Sequence, residues 1–201
     1  MLAGILDFLV RMLPGVLLAG ILYTLLLPLR RHKLVQNEVC SPLPREIALL
    51  LFVLFCGGLA LLTLTPRWFH WLDLLNGSFN SLTPFFALGD ANLIPFRTFA
   101  SDSWSVMILL GNLIMFLPLG FFPTLLWNNV SWRKALLSGL CITLFIEVWQ
   151  LFIGRSFDVD DLLLNTLGVL LGHLFCRLLC RVAPRFAAVF RITTHGNEEP
   201  L

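Results

Sequence analysis

The sequence predicts an all-α fold, a multi-pass transmembrane helical bundle of about five spanning helices. Three observations carry that prediction. Of 201 residues, 58% are hydrophobic, and the mean hydropathy is +0.86. Only 13% are charged, about half the share of a soluble globular chain. The apolar excess is gathered into runs that approach or exceed the ~20 residues a bilayer core requires.

The runs follow in order. The first lies within 5–29, with Pro14 and Pro28 near its ends. Asp7 precedes Arg11 and the apolar stretch continues to Leu29, so this reads as a retained helix and not as a cleaved signal peptide. The second, 47–64, carries no charge. The third, 106–126, contains Asn112 and Pro118, the latter predicting a kink. The fourth, 135–153, contains Glu147 and Gln150, and the fifth, 162–179, contains Asn165, His173 and Arg177. The chain divides into a first helix with a basic loop (1–46), a principal membrane domain (47–180) and a flexible tail (181–201), polar and expected to be disordered from Thr193. The longest connection, 65–105, carries Trp68, Phe69 and Trp71, which suit a membrane interface, and part of it is expected to lie on or re-enter the bilayer.

Basic residues alternate between the connections. Arg30, Arg31, Lys33, Arg45, Arg133, Lys134, Arg177, Arg181, Arg185 and Arg191 fall on one side, and Arg11, Arg67, Arg97 and Arg155 on the other. The positive-inside rule then places the N-terminus outside and the C-terminus in the cytoplasm. No basic patch with interleaved aromatics points to nucleic acid, and no cofactor motif stands out. Cys40, Cys56, Cys141, Cys176 and Cys180 lack zinc or redox spacing. All but Cys40 sit in apolar runs and read as packing residues. Cys176 and Cys180, beside Arg177 and Arg181, carry a weak acylation signal.

The chemistry concentrates in EVWQLFIGRSFDVDDLLLN, residues 147–165, which holds Glu147, Gln150, Arg155, Asp158, Asp160, Asp161 and Asn165. An ionisable residue inside an apolar span is costly and by default marks function. Helical rise sets the depths: Asn112 and Glu147 each lie ~9 Å from the same end of their spans, and Asn165 lies at ~5 Å. Three helices thus contribute to one polar layer, whichever way the protein is inserted. Thr143, Glu147, Gln150 and Gly154 share one helix face, and Asn165, Gly168 and Gly172 share another. The small residues predict close packing of the fifth helix on a neighbour, with Asn165 presented to Glu147. Asp161 suits the cap of the fifth helix, and Arg155 offers a planar fork to Asp158 or to an anionic ligand. Bland readings stand beside these: Asn112 and Asn165 as interhelical glue, the aspartates as caps or solvated charges, Arg155–Asp158 as a loop-closing pair, and His173, ~17 Å deep, as packing.

Four segments resemble the VanZ-like family of bacterial membrane proteins: LLTLTP at 61–66, ANLIPF at 91–96, GNLIMFLPLGFFP at 111–123, and E-x-x-Q followed by R-x-x-D-x-x-D-x-x-x-N-x-x-G-x-x-x-G from 147 to 172. The resemblance covers about 61–173. Register against Asn165 favours Asp161 over Asp160 as the shared aspartate. The family takes its name from a protein that accompanies glycopeptide-resistance genes and raises tolerance to teicoplanin. The resemblance implies a cell-envelope role in the bacterial cytoplasmic membrane, with antibiotic resistance as one consequence.

Three function classes follow. The first is an outward-facing polar site that binds a membrane lipid, a lipid-linked wall precursor or a glycopeptide antibiotic, with Asn112, Glu147, Gln150, Arg155, Asp158, Asp161 and Asn165 as the ligand-binding set. The second is a membrane enzyme with Glu147 as general base on a lipid-linked substrate. Against it, no serine or cysteine nucleophile has a paired histidine, and no strong metal motif is present. The third is a proton-coupled transporter using Glu147 and His173, which the lack of an internal repeat disfavours unless the chain forms a homo-oligomer.

Overall fold

The computed structural model describes residues 2–77, 85–96, 104–127 and 129–194. Five helices are long and apolar enough to cross a membrane. They are α1 (Leu2–Gln36), α2 (Leu43–Leu64), α4 (Trp104–Leu126), α5 (Trp132–Phe152) and α6 (Val159–Val182). Two short helices, α3 (Trp71–Leu75) and α7 (Pro184–Ala188), lie between α2 and α4 and after α6. Four two-residue strands complete the described elements: β1 (Val39–Cys40), β2 (Ala91–Asn92), β3 (Phe157–Asp158) and β4 (Thr193–Thr194). Every predicted span is present. The largest departure is α1, which runs on through the basic segment to Gln36 with both prolines inside it.

The core takes one side chain from each of four spans: Leu59 of α2, Phe116 of α4, Ile146 of α5 and Val169 of α6. The central helix is α6, packed on both α4 and α5, while α1 packs on α2 at the periphery. Glycines make the α4–α6 contact intimate. A Cβ on Gly168 would lie 2.5 Å from the Leu113 carbonyl oxygen, and one on Gly120 or Gly172 would run into the carbonyl of Val169 or Leu117. The neighbour that the small residues of α6 predict is therefore α4. Where no hydrophobic force separates helix from lipid, such backbone approach is what binds helices together.

The two ends of the bundle are closed differently. At the end holding the first residues of α6, β2 pairs in parallel with β3, which brings the segment 85–96 onto the α5–α6 corner. Arg11 donates from Nη1 to the Arg67 carbonyl at 3.1 Å, and Trp71 donates from Nε1 to the Val10 carbonyl at 2.8 Å. At the other end, Arg45 is buried and donates from Nη1 to the carbonyls of Leu126 and, at 3.0 Å, Phe190. Arg30 and Glu46 pair at 2.7 Å. The tail, expected to be flexible, begins with α7 and returns β4 antiparallel to β1. Residues beyond 194, and Arg97 in the long connection, lie outside the described residues. Among the cysteines, Cys176 is buried, which removes it from acylation, Cys180 is half-buried, and Cys141 is exposed on the bundle surface and not a packing residue.

The α4–α6 contact makes a prediction. Gly172→Leu should destabilise the bundle by at least the ~1–3 kcal/mol of ordinary overpacking. It should lower the thermal midpoint in detergent, while Gly111→Leu, with open space around its backbone, leaves the midpoint unchanged.

Candidate functional site: a buried polar layer at the α5–α6 corner

The layer is built around the end of α2. Thr65 precedes Pro66 and is extended, with φ −110° and ψ 148°, as a residue before proline prefers, so the helix stops. A helix end leaves four carbonyls without intrahelical partners. Each of the four is met by a side chain. The Thr65 hydroxyl donates to Leu61 at 2.7 Å and Arg155 Nη1 to Leu62 at 3.1 Å. Gln150 Nε2 donates to Thr63 at 3.2 Å and Trp149 Nε1 to Leu64 at 2.9 Å. Three of these donors come from the α5–α6 corner. The LLTLTP segment is thus the acceptor for the E-x-x-Q…R segment, a relation that neither segment reveals alone.

Glu147 is 1% exposed and lies one turn deeper than Gln150, on the same face. Its Oε2 accepts the Asp158 amide N–H at 3.0 Å. Asp158 is the N-cap of α6, with φ −127° and ψ 122°, and its Oδ1 accepts the Asp160 N–H at 2.9 Å. The carboxylate of Glu147 therefore faces the N-terminus of α6, where the helix dipole favours negative charge. The sequence expectation that Asp161 caps this helix is corrected. The helix begins three residues earlier than the apolar run, so Asp161 is already helical and Asp158 holds the cap.

The aspartates divide their work. Asp160, 1% exposed, is no solvated charge: its Oδ1 accepts the Phe96 N–H at 2.6 Å and holds the end of the 85–96 segment. Asp161 accepts from the Asn112 amide, joining α6 to α4. Asn92 donates to Asp158 at 3.2 Å. Three backbone bonds continue the seam, from Ala87 N–H to Phe152 at 3.0 Å, Gly89 N–H to Leu151 at 2.7 Å and Phe157 N–H to Asp90 at 2.8 Å. Gly89 lies so close to the Arg155 carbonyl that a Cβ there would overlap it.

Six of the seven predicted site residues are tied into this one hydrogen-bonded layer: Asn112, Glu147, Gln150, Arg155, Asp158 and Asp161. The expected meeting of Asn165 with Glu147 is not formed as a hydrogen bond among the described residues. Asn165 is 4% exposed, one turn below Asp161 on the face toward α4, and its Oδ1 has no partner. Arg155 Nε is likewise buried and unpartnered. Its expected fork to Asp158 is replaced by bonds to the α2 carbonyls. Burial holds the Arg155 guanidinium below its ordinary pKa, Arg67 adds to that, and Glu147 and Asp161 oppose it. Sequence reasoning missed Thr63, Trp149, Asn92 and Phe96 as members of the layer. Asn92 and Phe96 had a signal in the ANLIPF motif. His173 lies apart: the Thr124 hydroxyl is 2.8 Å from both the Gly120 carbonyl and His173 Nδ1. Its single hydrogen goes to the carbonyl, so Nδ1–H of the histidine is the donor to the hydroxyl. Among the described residues no cluster of three or more His, Cys, Asp or Glu side chains could hold a metal ion.

The VanZ/LLP1 family profile matches residues 49–180, more than half of the chain. The chain belongs to the VanZ/LLP1 family. The matched region contains α4 and α5, most of α2 and α6, and every residue of the polar layer, and leaves α1 outside. Family and five apolar helices together make this VanZ/LLP1 chain a multi-pass membrane protein, and the bacterial cytoplasmic membrane is the location that fits the family. No curated protein and no solved structure matches it.

Two predictions follow from the seam. Arg155→Ala leaves the Leu62 carbonyl unpaired and should cost about 1.5–3 kcal/mol, as for a bond to a charged group, read as earlier thermal unfolding in detergent. Asp160→Ala should free the end of the 85–96 segment, and amide hydrogen exchange at Phe96 should speed up while exchange at the core of α6 stays slow.

Proposed function

We propose that this VanZ/LLP1 protein is a cell-envelope ligand-binding protein whose polar layer faces outward. It lowers susceptibility to teicoplanin-type glycopeptides by binding an envelope lipid, a lipid-linked wall precursor or the drug itself. The distribution of basic residues supports the orientation, since ten of the fourteen lie toward the opposite end of the bundle. The observation that carries the reading is a pair of unfilled bonding positions. Asn165 Oδ1 is an acceptor and Arg155 Nε a donor, both buried without partners in the layer that holds Glu147. Leaving such groups unpaired costs about 1–3 kcal/mol each. A ligand that offers a hydroxyl or amide N–H to Asn165 and an anionic or carbonyl oxygen to Arg155 would satisfy both. Lipid-linked sugars and glycopeptides carry all of these groups. Glu147, Asn112 and Gln150 then position the pocket wall, with Asp158 and Asp161 at its mouth.

The test is expression in a teicoplanin-susceptible Gram-positive host, with Glu147→Gln at matched membrane abundance. Glutamine keeps an oxygen to accept the Asp158 N–H, so the corner stays closed while the charge is removed. The native chain is expected to raise the inhibitory concentration and the variant to leave it at the host level. Equal protection by both chains removes Glu147 from the mechanism, and protection by neither removes the glycopeptide reading.

A further inference from the structure

Two crevices lie along α1, lined by none of the residues of the polar layer. One of about 570 Å³ is lined by Leu26, Leu29, Arg30, Lys33, Val39 and Ile192, among others. A second of about 400 Å³ is lined by residues that include Ala19, Tyr23, Leu26, Arg30 and Val53. Leu26 and Arg30 line both, so the two adjoin end to end as a trough divided at those side chains. It runs beside α1 from Ala19 to Asn37, a rise of about 27 Å, near the depth of a bilayer core. α1 and α2 meet backbone to backbone at Gly15 and Gly57, and the trough lies further along α1. Its floor at the far end is made by the returning tail, since Ile192 precedes the β4 strand that pairs with β1.

The trough is apolar along its length and cationic at its end. Lys33, exposed, and Arg30 line that end, with Arg31 on the same turn of α1. Arg30 already pairs with Glu46, which also accepts from Tyr23 at 3.2 Å and from Ser41. Lys33 is in no ion pair among the described residues. The wider field is strongly positive. Ten basic residues lie toward this end, and the described acids there are Glu38, on the turn after α1, and Glu46. A greasy channel ending in cations matches a molecule with long acyl chains and an anionic head. Basic pockets between or beside membrane helices are a known means of holding phosphate headgroups.

We propose that this trough is a binding site for an anionic phospholipid. Its acyl chains lie along Leu22, Leu26 and Leu29, and its phosphate sits on Lys33 beside Arg30. All the residues of the cationic crevice lie outside the stretch that matches the family profile, and none of them belongs to the polar layer.

The experiment is native mass spectrometry of the full chain in detergent, titrated with dioleoylphosphatidylglycerol or dioleoylphosphatidylcholine. Two variants are compared, Lys33→Gln at the head and Leu26→Trp to fill the trough. Leu26 is 57% exposed on the bundle surface, so the larger ring leaves the core intact. The native chain is expected to retain the anionic lipid preferentially, Lys33→Gln to weaken that preference about fivefold, as for the loss of one surface cation, and Leu26→Trp to abolish it. Equal retention of both lipids by the native chain overturns the proposal. So does an unchanged preference in either variant, because the site requires both head and trough.

Discussion

The protein is organised by one requirement, that a helix ending inside an apolar surrounding must have its last carbonyls satisfied. Around the end of α2 the side chains of Thr63, Glu147 and Gln150 are buried, and a polar group left unmet in such surroundings costs several kcal/mol. Pro66 ends α2, and the four exposed carbonyls draw Trp149, Gln150 and Arg155 to them. Those three residues occupy the end of α5 and the corner after it, so meeting the requirement fixes where α5 stops and how the chain turns into α6. Gly154, at φ +71°, allows that turn. Once the corner is set, Glu147 faces the first amide of α6 and the 85–96 segment has an edge to pair with.

Helix polarity then decides which charges go where. The N-terminus of α6 collects Glu147, Asp158, Asp160 and Asp161, and each of the first three accepts a backbone N–H from the corner or from the segment laid over it. The opposite arrangement holds at helix C-termini, where Arg155 meets the end of α2 and Arg45 meets the end of α4. Both follow from the same dipole, which favours anions at one end and cations at the other. Three of the acids of the layer are thus met by backbone N–H groups. Asn165 Oδ1 and Arg155 Nε are buried there without a partner, as Thr166 Oγ1 and, at the opposite end, Arg45 Nε also are.

Much of this was legible in the residues. The apolar runs located five spans, and the 3.6-residue repeat put Thr143, Glu147 and Gln150 on one buried face. Small residues on α6 announced a close neighbour, though not which one. The aspartates were harder. Capping preference and dipole both favour an acid anywhere in the first turn, so residue type could not separate Asp158 from Asp160 and Asp161. The deciding fact is the extended backbone at Asp158, which pairs with Asn92 more than sixty residues away. Arg155 was misjudged for a similar reason. A nearby aspartate looked like its partner in sequence, but the carbonyls that hold it belong to a helix ninety residues earlier.

The sequence by itself determined that the chain is a membrane bundle and which helices are long and apolar enough to cross. Those properties follow from composition and helical period, which are local. The tertiary structure alone decided what each polar group binds, that α6 packs on α4 through bare backbone, and that the tail returns to close a trough beside α1. Such choices depend on which carbonyls and amides are left without partners after the helices form, and that is known only once distant segments have been brought together.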